Sequence, residues 1–188
     1  MRGVLLLSTA LAAALSASAE WSDVTMDVYR NWFGEELPHL EAVERDGVKP
    51  DIRLELEEPT ARNVFGRPQT NLVARLAACI IRGKFIPEED GRYFLTLPEN
   101  VTKYRLFLSP DGDARKCKEV ELARHPKLRR DELVPCRGSL RRFETKSVRA
   151  VTTKKPLELR KGRPIAFKVH FLPGFYGEGV SLQAVKQN

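Results

Sequence analysis

The chain has 188 residues, of which 42% are hydrophobic and 30% charged, and a formal net charge of +7. That length suits one domain with a full core and is short for two, and the composition is too polar for a bundle of membrane spans. The charge is uneven: residues 20–60 hold 4 Lys/Arg against 12 Asp/Glu, while residues 61–188 hold 27 against 13, so an acidic first part precedes a basic remainder. Two readings follow. Either the two parts meet in the fold and cancel, or a basic face is left to attract acidic glycans, acidic protein or other polyanions. No recognised nucleic-acid motif is present, which argues against that partner for an exported chain.

Export is read from the first residues. Met1 and Arg2 form a positive n-region, Val4 to Leu15 an apolar run too short to span a bilayer, and Ala17, Ser18 and Ala19 a small-x-small cleavage pattern. Residues 1–19 are therefore expected to be a signal peptide and residues 20–188 a single secreted domain without a transmembrane segment.

Asp23 to Tyr29 alternates, with Val24, Met26 and Val28 on one side, as a half-buried strand does. Gly34 to Val43 reads as a short helical turn interrupted at Pro38. Asp51 to Leu56 alternates again, and a loop rich in Pro, Gly and Asn follows as far as Gln69. Strands are expected over Ala77–Ile86, Tyr93–Leu97 and Tyr104–Leu108, separated by turns at Pro87–Gly91 and Pro98–Asn100.

Near the end, Ile165, Phe167, Val169 and Phe171 form one face of a strand and Ala166, Lys168 and His170 the other, which makes His170 a surface residue; Val180, Leu182 and Ala184 alternate after a Gly-rich turn. Short strands at turn spacing predict an all-β antiparallel sandwich with a short helical turn near the N-terminus.

Three cysteines remain. Cys79 lies in the apolar run Leu76 to Ile81 and is expected to pack as a small hydrophobe, whereas Cys117 and Cys136 flank a charged, helix-poor segment containing His125, Pro126 and Pro135. In an oxidising compartment a Cys117 to Cys136 disulfide is expected, the alternative being two exposed thiols. Asn100-Val101-Thr102 is the one glycosylation sequon and marks Asn100 as the glycan site in a eukaryotic secretory pathway. Asp111-Gly112-Asp113 begins like a calcium loop but lacks the distal carboxylate, and reads as a hydrated hairpin tip. His39, His125 and His170 belong to no metal or catalytic motif, and neither a nucleophile elbow nor a phosphate loop is present. A binding module is expected, not an enzyme.

The order of the pieces carries a resemblance. Arg82-Gly83-Lys84-Phe85-Ile86-Pro87, Asp90-Gly91-Arg92-Tyr93-Phe94 and Tyr104-Arg105-Leu106-Phe107-Leu108-Ser109-Pro110-Asp111 resemble the protective-antigen-type ("PA fourteen") domain. Val28-Tyr29-Arg30-Asn31-Trp32-Phe33-Gly34 is similar to its opening strand, above all in the domain attached to animal β-1,4-N-acetylgalactosaminyltransferases. Leu159 to Arg163 and Val180 to Ala184 are similar to its closing hairpin.

The resemblance implies a β-sandwich and extracellular binding of a glycan or glycoprotein surface. In lectin members a pair of Asp side chains holds calcium, which contacts sugar hydroxyls. Glu99-Asn100 stands at that position here, making both residues the calcium and ligand candidates with one charge fewer, and a glycan on Asn100 would occupy the mouth itself.

The second loop of the mouth, Gly174 to Gly179, offers Phe175 and Tyr176 either to stack on a sugar ring or to pack on Trp21 or Trp32. It also carries Glu178 as a cation partner or a solvated turn carboxylate. The expected function is a secreted, non-catalytic carbohydrate- or glycoprotein-binding module. Its alternatives are a structural or protein-interaction domain without the sugar site and an accessory domain of a glycosyltransferase complex.

Overall fold

The computed structural model describes residues 19–30, 36–37, 39–60, 77–99, 103–135, 143–172 and 180–187. The alternating first segment forms β1 (Ala19–Tyr29), followed by helix α1 (His39–Arg45), β2 (Ile52–Glu55), β3 (Ala78–Pro87), β4 (Gly91–Pro98) and β5 (Lys103–Ser109). A 3-10 turn at Ala114–Lys116 leads to β6 (Lys118–Glu119), β7 (Leu122–Pro135), β8 (Phe143–Thr153), β9 (Leu157–Leu159), β10 (Ile165–Leu172) and β11 (Gln183–Lys186). All of these strands pair antiparallel, in a six-stranded sheet ordered β2-β1-β3-β10-β5-β6 and a second sheet ordered β11-β4-β8-β7, with β9 beside the start of β4. The predicted all-β sandwich is therefore observed.

Period-two alternation decides what lies between the sheets. Val24, Met26 and Val28 of β1, Phe85 of β3 and Phe167, Val169 and Phe171 of β10 meet Tyr93, Leu95 and Leu97 of β4 in one buried core. Trp21 closes one side of it, its ring 5.1 Å from Phe85 and 5.3 Å from Phe167, with Phe85 in turn 5.8 Å from Tyr93. Gly83 makes the room for these rings, because a Cβ there would sit 3.0 Å from both Phe167 Cζ and Val24 Cγ2. β1 accommodates a bulge between Ser22 and Thr25, where Asp23 takes a positive φ of 54°. The segment after β2 crosses to the second sheet, with Thr60 bridging Ser181 and the Leu182 N–H donating to the Pro59 carbonyl at 3.0 Å.

Three expectations change. The helical turn expected over Gly34 to Val43, with its interruption at Pro38, is described as α1 over His39–Arg45, two residues beyond the expected end. It lies on the outer face of the six-stranded sheet, where Leu40 and Leu37 form a second core with Tyr29, Ala78 and Ile80. His170, expected at the surface, is fully buried, because α1 covers the polar side of β10.

The segment expected to be a disulfide loop is instead strand β7 along β8, with its register broken between Arg124 and Arg129 around Pro126. Cys117 is a free thiol whose Sγ lies 3.8 Å from the Ala166 carbonyl oxygen, so the Cys117 to Cys136 bridge is not made in this structure. Cys136 itself lies outside the described residues, as do residues 1–18 of the expected signal peptide 1–19, Trp32 and the sequon residue Asn100. Cys79 is buried as expected.

Candidate functional site

The strand registers bring the strand ends that flank the two predicted loops to one end of the sandwich. Leu172, the last residue of β10, pairs with Lys103, the first of β5, and Tyr29 at the end of β1 pairs with Ala78 at the start of β3. In the second sheet Gln183 at the start of β11 pairs with Thr96 near the end of β4. The strand ends that flank residues 100–102 and 173–179 thus emerge at one end of the sandwich. The hairpin of β7 and β8 projects past that end, because Pro98 pairs with Ala150 and β8 residues 143–149 continue beyond the last residue of β4.

Glu99 stands at this rim. Its backbone N–H donates to the Arg149 carbonyl at 3.1 Å, which prolongs the β4–β8 ladder by one step and places Glu99 beside Arg149. Its Oε1 lies 2.7 Å from Arg124 Nε. Below it, the Tyr104 hydroxyl donates to the Pro98 carbonyl at 3.1 Å, and burial pushes that hydroxyl's pKa up to about 12, so it stays protonated.

The β7 bulge is closed by His125, whose Nδ1 accepts from the backbone N–H groups of Leu128 at 2.8 Å and Lys127 at 3.3 Å while its ring packs edge-on against Phe94. Beyond the bulge Arg129 lies directly opposite Arg149. Arg129 is held by the Ser147 carbonyl through Nη2 at 2.6 Å and by the Ser147 hydroxyl through Nε at 3.2 Å.

Of the residues read from the sequence as ligands, Glu99 is at this strand-end rim, and Asn100, Phe175, Tyr176 and Glu178 lie outside the described residues. The Glu99 carboxylate is already answered by Arg124, and a calcium ion there would displace that arginine and face Arg129 and Arg149 as well. Among the described residues no three His, Cys, Asp or Glu side chains gather as a metal site. None of the described helices is long and apolar enough to cross a membrane.

Sequence reading missed a second charged cluster, between α1 and the six-stranded sheet. Asp27, almost fully buried, accepts from Arg53 at 2.6 and 2.9 Å and from Arg82 at 2.7 Å. Glu44 of the helix accepts from Arg82 at 3.0 Å and Lys168 at 2.6 Å, and lies 3.0 Å from His170 Nε2. Burial pushes the Glu44 carboxyl up, but the hydrogen bonds and charges of His170 and Lys168 outweigh it and hold it at about 2. Further along, Arg105 pairs with both Glu41 and Glu119.

The acidic first part and the basic remainder do meet here. An adjoining pocket of about 460 Å³ is lined by Asp27, Tyr29, Glu44, Val48, Arg53 and Arg82, among others. Its floor charges satisfy one another, so the cluster acts as a clamp on α1. The available signal was the pairing of Lys168 with His170 on one strand face.

No protein-family model matches the chain, and no curated protein matches it. Among solved structures the fold is similar to a selenomethionine-labelled β-glucosidase from Kluyveromyces marxianus, with a TM-score of 0.53 and 16% identity over 88% of this chain and 16% of that one. A glucose complex of β-glucosidase from the same organism gives a TM-score of 0.47 and 15% identity at the same coverage. The chain therefore spans only a small part of the enzyme it resembles, and likeness at this identity speaks to the sandwich fold alone.

Proposed function

We propose that the chain is a secreted, non-catalytic carbohydrate- or glycoprotein-binding module that takes its ligand at the strand end bearing Glu99, Tyr104 and Arg149. The observation that carries this reading is the register of Leu172 against Lys103, which makes the strand ends flanking residues 100–102 and 173–179 neighbours across one opening. A fold similar to 16% of a β-glucosidase's length also suits an accessory module that accompanies carbohydrate chemistry.

The binding is metal-free, since Glu99 is committed to Arg124. A glycan array probed with the secreted chain, with calcium and with chelator, tests the proposal. Binding that survives chelation is expected, and no binding to any neutral or acidic glycan would sink it.

The same Glu99–Arg124 pair favours a second reading, an interaction domain that has exchanged the sugar site for a protein contact. Capture of one defined protein partner, with a silent glycan array, would select it.

A further inference from the structure

We infer that the ligand at this end is anionic: an acidic glycan whose sulfate or carboxylate groups are gripped by Arg149 and Arg129, with Arg124 beside them. The inference rests on the glycan-binding reading and names the class of glycan.

The first argument is the register. Arg129 and Arg149 face each other directly across the β7–β8 ladder, and like charges so placed destabilise a sheet. Neither is relieved within the described part of the molecule. Among the described residues Arg129 is held by the neutral carbonyl and hydroxyl of Ser147, which orient the guanidinium without cancelling it. Arg149 is exposed and forms no hydrogen bond or ion pair with another described side chain. Of the described carboxylates nearest in the ladder, Glu99 is taken by Arg124, and Asp131, opposite Ser147 and diagonal to Arg149, forms no ion pair with either arginine. By contrast, Arg53, Arg82, Arg105 and Lys168 on the other sheet each face a carboxylate.

The second argument is chemical. A guanidinium fork matches the oxygens of a sulfate or carboxylate with two parallel hydrogen bonds, which an ammonium cannot do. Directly opposed residues on paired strands have Cα atoms only about 5 Å apart, so one acidic sugar can engage both arginines. The hairpin carries them past the end of the sheet, where an extended chain can pass without entering a cavity. An uncompensated pair that costs stability in the free protein is offset when an anion binds between its members.

The test uses the full secreted chain on a surface bearing heparin, beside hyaluronan, chemically desulfated heparin and a neutral oligosaccharide, with melting temperature read in parallel. Wild type is expected to bind heparin with an affinity that falls as salt rises, and the desulfated and hyaluronan arms separate sulfate from carboxylate recognition. Arg149→Glu is expected to weaken heparin binding about tenfold or more while leaving the melting temperature unchanged or higher, because it places an opposite charge across from Arg129. Arg149→Gln provides a milder variant with the same binding loss.

Heparin binding that survives both substitutions overturns the site. Preference for the neutral oligosaccharide overturns the anion and leaves glycan binding intact, whereas silence on every glycan overturns both. Equal competition by poly-glutamate overturns the glycan class in favour of an acidic polypeptide.

Discussion

Glu44 answers Arg82, Lys168 and His170 at once from a helix of two turns, and its carboxyl is the group that lets three nitrogen-bearing side chains lie under α1. Its pKa in the folded protein is about 2, below the ordinary 4.5. The stability it contributes is complete above pH 4.5 and is lost as pH falls from there toward 2. Glu44→Gln is expected to lower stability at pH 7 by about 2 kcal/mol, less than a fully buried pair because Glu44 is partly exposed, and to flatten the acid side of the stability profile. Denaturant titrations of both proteins at pH 7 and pH 3 check this; an unchanged acid slope would contradict it.

The cysteines give a second test at this scale. Burial pushes the Cys79 thiol far up and raises Cys117 less, so a thiol reagent is expected to label Cys117 in the native protein and Cys79 only after unfolding. His170 shows where sequence reading stops. Alternation placed it correctly on the polar face of its strand, but burial depended on a helix more than a hundred residues earlier in the chain.

The strands with one apolar face were legible: β1, β3, β4, β5 and β10 all fall where alternation put them, within a residue or two at most ends. β7 was not, because it is an edge strand rich in charge and interrupted by Pro126, and those features read as a loop until the bulge is seen to absorb the proline. The misread strand carried the disulfide expectation with it. Gly83 is the most exacting position in β3, since Phe167 and Val24 already fill the space beside it. Gly83→Ala is expected to destabilise by about 1–3 kcal/mol through overpacking, measurable by chemical denaturation with a cooperative transition retained. No loss would mean that the Trp21, Phe85 and Phe167 rings repack freely.

The charge asymmetry read from the whole chain is partly cancelled within the fold. Asp23, Asp27, Glu41 and Glu44 of the acidic part pair with Lys84, Arg82, Arg105 and Lys168 of the basic part, while Arg129 and Arg149 stay unanswered among the described residues at the rim. Composition gave the sum, and the ladder register placed Arg129 and Arg149 opposite each other at the rim.

A calcium requirement fits this distribution poorly. Addition of calcium or chelator is expected to leave the melting temperature within the scatter of repeats, and a rise with calcium would show that Glu99 leaves Arg124 for the ion.

Amide chemical shifts, followed during titration of the labelled protein with an array-selected glycan, test the central claim most directly. Binding at the rim predicts that the perturbed amides cluster at residues 97–99, 103–105, 124–130 and 147–151. Perturbation confined to the α1 pocket, around Asp27 and Val48, would contradict it.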